Sequence, residues 1–422
     1  MAVIGDRAAV RRLFERFGLG PRPGELDSAG FDQTVAALLA GTDSGVPPPP
    51  ALGDEPEAGK DKAARRDAAD QQRALTLWWL DRLAVTDSPL VERMTWFWHG
   101  HFATSAQKVR SARLMLTQNQ TLRRHGLGDF AVLANAMVVD PAMLIWLDGQ
   151  KNTAKAANEN LARELMELFT LGVGNYSEPD VRAAARALTG WKVDREAMTA
   201  TPAPRQHDPT DKTVLGRTGP LDAGSLVEVL VDQPASARFV ARRLWLRMVG
   251  TTPPADDVLA RLVAAYGPGR DIRSLLRAIA TEPAFRAEPS TIVKQPVEWL
   301  AGALRALRLR PSALPAGDGT RLLAGLRGMG QVPFLPPSVG GWPSGGAWLT
   351  TASGLARLQL ARLLAGRAEL SRLTGDPVTA VGALLGVDAW SERTRAALRP
   401  LAEQPAQLAA VALCAPEYVI SG

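Results

Sequence analysis

Along nearly the whole chain, apolar residues recur at three- and four-residue intervals, and runs of Val, Ile or Thr alternating with polar residues are hard to find. A period near 3.6 turns one face of a helix toward a core, whereas a half-buried strand needs a period of two. The pattern therefore predicts an all-α fold: a large, bundle-like body of many helices, with long Gly/Pro-rich loops and little or no sheet. At 422 residues, 46% hydrophobic and 22% charged, the chain is not limited in core size.

Ala9, Val10, Leu13, Phe14 and Phe17 form the first stripe, a helix over Asp6–Arg16 that Gly18 and Gly20 close. A second short helix is expected over Phe31–Leu39. Four consecutive prolines, Pro47–Pro50, follow in a stretch that can build neither helix nor core strand. The expected division is an N-terminal helical segment over 1–41, packed on the main body, a Pro-rich linker or mobile loop over 42–59, and a main helical domain over 60–422. In that domain, helices are predicted from Lys60 to near Asp87 and over Leu90–Trp98, Asn160–Leu171, Glu178–Thr189, Ala235–Met248, Val297–Ala306 and Ser391–Leu413, among others. Two segments break the rhythm. Thr199–Leu221 reads as a short hairpin or a loop, and Gly330–Leu349 is too rich in Gly and Pro for a helix. Its aromatics imply that it packs across the helical body near the site.

Trp96-Phe97-Trp98-His99-Gly100-His101-Phe102 holds two of only four histidines. On a continuous helix, residues two apart point about 200° from one another. His99 and His101 can share a ligand only if the helix ends before Gly100 and the glycine re-aims the chain. The second stretch is Asn158-Glu159-Asn160-Leu161-Ala162-Arg163-Glu164-Leu165-Met166-Glu167. With Asn160 at zero on a helical wheel, Glu164 falls near ~40°, Glu167 near ~340° and Arg163 near ~300°, opposite the leucines. One narrow face thus carries both carboxylates, which could ligate a metal, and an arginine that could orient an anionic substrate. The bland alternative is a solvated face stitched by an Arg163–Glu167 pair. His207-Asp208 adds a third cluster. His and carboxylate together suit a divalent ion such as Zn, Mn or Fe.

Other residues carry less. His125 reads as a cation at a helix C-terminus, and Cys414 as a buried, inert thiol that excludes any internal disulfide. A net charge of +6 and a pI near 9.7 raise the question of nucleic acid, but the arginines are scattered among acids rather than blocked, so no nucleic-acid partner is expected. No P-loop, GxSxG elbow or GxGxxG strand–helix junction is present. The stretch after Met1 lacks the apolar core of a secretory signal and no segment is long enough to span a membrane, so the chain as given is expected to be soluble and cytoplasmic.

LFERFGLGPRPGEL (Leu13–Leu26), ERMTWFWHGHFATSAQKV (Glu92–Val109), DPAMLIWLDG (Asp140–Gly149), NENLARELMELFTLGVGNYSEPDV (Asn158–Val181), VKQPVEW (Val293–Trp299) and PPSVGGWPSGGAWL (Pro336–Leu349) stand in order over almost the whole chain. In these stretches the sequence resembles a bacterial family catalogued as domain of unknown function number eighteen hundred. The resemblance implies a mainly helical protein whose relatives are often exported, which makes a periplasmic or extracellular location the alternative. Relatives are often encoded beside a second exported family resembling alkaline-phosphatase-like enzymes. It carries over no reaction or ligand. This chain has Gln295 where a small hydroxyl residue is expected.

The residues favour a metal-dependent enzyme, a hydrolase before an oxidoreductase, with His99, His101, Glu164 and Glu167 as ligands or acid/base groups. Arg163 or His207, beside Asp208, would stabilise developing charge on a small-molecule or polymer substrate. The alternatives are a non-catalytic helical scaffold or assembly partner of a companion enzyme, and a metal-free hydrolase or lyase using Glu164 or Glu167 as base.

Overall fold

The computed structural model describes residues 4–42, 46–54, 62–287, 290–315, 317–371 and 373–422. The fold is all-α. Helices dominate, and sheet is confined, among the described residues, to three two-stranded antiparallel pairs. Two of these pairs, Trp191–Asp194 with Thr199–Pro202 and Lys212–Val214 with Arg217–Gly219, fall around the segment expected as a hairpin or loop. The third joins Ile292–Val293 to Ile420–Ser421 near the C-terminus.

Local chemistry sets the helix ends. Ser111, Asp140, Ser177 and Asp222 each accept a hydrogen bond from the first turn of the helix that follows. Proline stands in the first turn at Pro89, Pro141, Pro234 and Pro296, where its missing N–H costs nothing. The same property breaks the helix expected over Ser391–Leu413. It divides into Glu392–Leu398, a tight turn over Arg399–Leu401 and Pro405–Ala412, because Pro400 and Pro405 cannot donate to the preceding turn. Of the expected linker over 42–59, residues 43–45 and 55–59 lie outside the described residues. Its prolines rest on the body, where the Pro47 carbonyl accepts from the Trp78 indole at 3.1 Å.

Helix Pro89–His101 lies between two apolar clusters. Trp98 and Phe102 pack into one with Phe130 and Phe169, and Trp96 packs into the other with Trp79, Trp299 and Phe334. Two buried carboxylates fix its orientation. Glu92, 1% exposed, accepts from Trp79 Nε1 at 2.8 Å, Arg82 Nε at 3.0 Å and Arg123 Nε at 2.6 Å, tying this helix to Lys62–Val85 and Ala112–His125. Glu298, on helix Pro296–Leu307, accepts from both Arg93 and Arg247. Arg247 belongs to Pro234–Met248, so a fifth helix joins the set. Among the described residues no helix is long and apolar enough to cross a membrane.

Burial works to raise the Glu92 pKa, but Arg123, Arg82 and the Trp79 bond outweigh it and hold the carboxyl at about 2, against an ordinary 4.5. A depressed folded pKa gives a contribution to stability that is complete above about pH 4.5 and lost as the pH falls through about 2. Glu92→Ala leaves two guanidiniums buried without their carboxylate and is expected to cost about 3–5 kcal/mol in urea unfolding. A loss below about 1 kcal/mol would show that the network does not hold these helices.

Candidate functional site

The histidine helix does not end at Trp98. It continues through Gly100 to His101, and Phe102 then leaves it, its N–H still bonded to the Trp98 carbonyl. The condition for a shared histidine site therefore fails, and the two imidazoles look into different clusters. His99 is ringed by Trp79, Trp96, Phe334 and Trp342, with centroids at 5.2, 5.9, 5.3 and 5.4 Å. Its Nε2 accepts the backbone N–H of Phe334 at 3.0 Å, and burial pushes its pKa down to about 3. His101 sits against Trp98, Phe102 and Phe169 on the other flank. Its Nε2 lies 2.8 Å from the Phe169 carbonyl, which can only accept, so this nitrogen carries the proton. Burial and then the Arg243 charge lower its pKa well below the ordinary value. The two rings are thus neutral and in opposite tautomers.

The carboxylate helix departs from the wheel drawn for it. Regular α-helix covers only Asn160–Glu164, and Leu165–Thr170 is a π turn in which Leu171 N bonds back to Met166 O at 2.9 Å. Thr170 Oγ1 donates to Leu165 O at 2.6 Å, occupying a carbonyl from within that wider turn. Each π turn holds about one residue more than an α turn, so angles counted at 100° per residue fail beyond Leu165. Arg163 accordingly misses Glu167. It binds Glu178 at 2.7 Å and Glu159 at 3.0 Å. Glu167 instead accepts from the Tyr176 hydroxyl at 2.7 Å. Glu164 is half-buried, and burial followed by the Glu167 charge raises its pKa. What joins this helix to the histidine helix is a main-chain carbonyl, that of Phe169, rather than a carboxylate.

His207 and Asp208 form a third, separate place. His207 Nδ1 donates to Thr189 O at 3.0 Å, and Gly190, at φ +81, leaves no room for a Cβ beside the His207 backbone. Asp208 binds Arg186 at 2.7 Å and Thr210 Oγ1 at 2.6 Å, and these bonds hold its carboxyl well below the usual range. Asn152 ties this loop to the start of the carboxylate helix, accepting from Asn158 N at 2.8 Å and from Gly190 N at 3.0 Å. Among the described residues no three His, Cys, Asp or Glu side chains lie close enough to hold one metal ion. His125 ends its helix as expected, but burial and Arg124 lower its pKa, which weakens its reading as the terminal cation. Cys414 is half-buried, and burial raises its thiol to about 11, in keeping with an inert side chain.

The Gly330–Leu349 segment does pack where expected. Phe334, at φ +66, is pinned at both ends of its backbone, its N–H on His99 Nε2 and its carbonyl on Ala106 N at 2.8 Å. Gly341, at φ +81, sits so close to the Gly100 carbonyl that a Cβ would collide with it. Trp342 then stacks on Trp96 at 5.2 Å. Beneath it opens a crevice of about 290 Å³ lined by Trp96, Phe97, Gly100, His101, Arg243, Arg247, Gln295 and Ser344, among others. Gln295 Oε1 accepts from Trp96 Nε1 and Gln331 Nε2, both at 3.0 Å, so the larger residue at this position fixes an aromatic wall. Sequence reasoning located the aromatic end of this crevice and missed its arginines. Within Ala235–Met248 they carry no spacing that separates them from Arg238 or Arg242.

Ring-nitrogen NMR checks the tautomers directly. His99 should show a protonated Nδ1, His101 a protonated Nε2, and both rings should remain neutral down to pH 5. Protonation of either near pH 6, or the same tautomer in both, would contradict the arrangement.

No curated protein and no solved structure matches the chain. Matched over residues 12–420 by the family model described as Protein of unknown function (DUF1800), the chain belongs to that family.

Proposed function

We propose that the protein binds a small, ring-bearing ligand in the crevice beneath Trp342. One observation carries this reading: four segments far apart in the chain, 96–101, 243–247, 295 and 340–344, converge on a single cavity. Its walls are aromatic, and two of its lining residues, Trp342 and His101, each carry a buried ring nitrogen, Nε1 and Nδ1, without a hydrogen-bond partner. An aromatic-lined concavity with a few uncommitted polar groups is the usual form of a small-molecule site. At about 290 Å³ it has room for one ring and its substituents.

A second reading, acid–base chemistry of a hydrolase or lyase at Glu164, is favoured by a separate observation. This half-buried carboxyl has a raised pKa, beside a second carboxylate that a tyrosine hydroxyl holds in place. A carboxyl shifted toward neutrality can serve as general acid or base without a metal-bound water.

Crystals soaked with a library of single-ring compounds should show them in the crevice, and Trp342→Ala should weaken their binding by about tenfold or more. Compounds that collect elsewhere and ignore the substitution would remove the crevice reading. For the second reading, the assay is turnover of chromogenic esters, glycosides and phosphoesters in EDTA. Activity that survives the chelator and falls about 100-fold in Glu164→Gln supports it. Activity abolished by EDTA would return the chemistry to a bound metal.

A further inference from the structure

Of the two arginines lining the crevice, one is answered by a carboxylate and the other is not. Arg247 shares Glu298 with Arg93, so that single carboxylate already serves two guanidiniums. Arg243 lies one helical turn earlier, half-buried, with the Phe239 ring 5.4 Å from its guanidinium carbon. Among the described residues no carboxylate, hydroxyl or carbonyl oxygen accepts a hydrogen bond from it. Burial alone pushes its pKa down, with no neighbouring acid to restore it, and its charge bears on His101. None of its guanidinium nitrogens is among the fully buried polar atoms without a partner, so the uncommitted charge is open to the crevice it lines. A cation set in a concave, aromatic-walled site favours an anion there.

We infer that Arg243 is the anion-binding residue of this crevice, and that the ligand is a single-ring acid with its carboxylate or phosphate on Arg243 and its ring beside Trp342. A planar guanidinium offers two parallel N–H donors that match either group, which an ammonium cannot do. The flanking Phe97 and Trp96 rings are apolar surfaces for the ring of the ligand. A cavity of about 290 Å³ corresponds to roughly ten water volumes, enough for one ring and one acid group. The inference rests on the crevice being a ligand site.

The test is calorimetric titration of the full chain with benzoate, phenyl phosphate and the neutral benzoate analogue benzamide. At least one acid should bind tenfold or more tightly than benzamide, and the stronger of the two identifies the preferred anion. Arg243→Met should abolish that preference while leaving the affinity for benzamide within about twofold, which a general collapse of the crevice would not do. Arg243→Lys keeps the charge without the fork and should retain the preference at lower affinity. Equal affinity for benzoate, phenyl phosphate and benzamide, lost in Trp342→Ala, would overturn the anion inference and leave the crevice reading standing. A preference that survives Arg243→Met would also overturn it. Failure of all three compounds to bind would overturn both.

Discussion

The buried Glu92 carboxylate sets the frame for everything around it. It gathers donors from Trp79, Arg82 and Arg123 on two neighbouring helices, in a position 1% exposed. A carboxylate with that many fixed partners leaves the helix that bears it one angle of rotation about its axis. That rotation decides which cluster each histidine enters. His99 is seven residues along and His101 nine, so their directions follow from Glu92 once the helix stays regular. The Glu298 contacts to Arg93 and Arg247 fix the same helix from the next residue, and also set where Arg247 meets the crevice.

The helical class and the packing of Gly330–Leu349 across the helical body were legible in periodicity and composition. The arrangement of side chains was legible only where the helix stayed ideal. Gly100 was a reasonable place for a break, but the helix keeps its bonds through His101 because Gly341 packs on the Gly100 carbonyl and the Phe102 N–H still reaches Trp98. The Arg163–Glu167 pair is absent for the opposite reason: a regular wheel does not hold where the chain widens into a π turn. Nothing in Leu165–Thr170 marks that turn in advance, since the Thr170 hydroxyl bond that accompanies it can form only after the tertiary structure has chosen it. Arg243 was invisible for a third reason. Its character comes from lacking a partner, and sequence shows residues without showing which of them meet.

The positive balance of the composition takes on a different meaning inside the fold. Arg12 donates to the carbonyls of Phe285 and Ala287 at 2.6 and 3.0 Å, and Arg16 to that of Val249 at 2.6 Å. Arg305 donates to Gly20 and Thr86 carbonyls at 2.8 and 3.0 Å. These guanidiniums fasten the N-terminal helix and its following loop to distant parts of the chain, satisfying main-chain oxygens that no helix or sheet uses. Net charge therefore overstates what the surface offers to a partner. Among the described residues the arginines divide into those satisfied by the protein's own oxygens, those paired with acids, and those with neither, most of them exposed and Arg243 half-buried in the crevice.

The π turn at Leu165–Thr170 also behaves as an insertion held in register. It carries one residue more than the α turn it replaces, and that surplus is taken up between Asn160–Glu164 and the end of the helix at Thr170. Removing any one residue from it would return the segment to α-helical bonding and change which of its carbonyls are left free. The Phe169 carbonyl would then turn away from His101, and the ring would lose its one hydrogen-bond acceptor among the described residues. Chains of this type should therefore tolerate exchange of side chains in the segment far more readily than any change in its length.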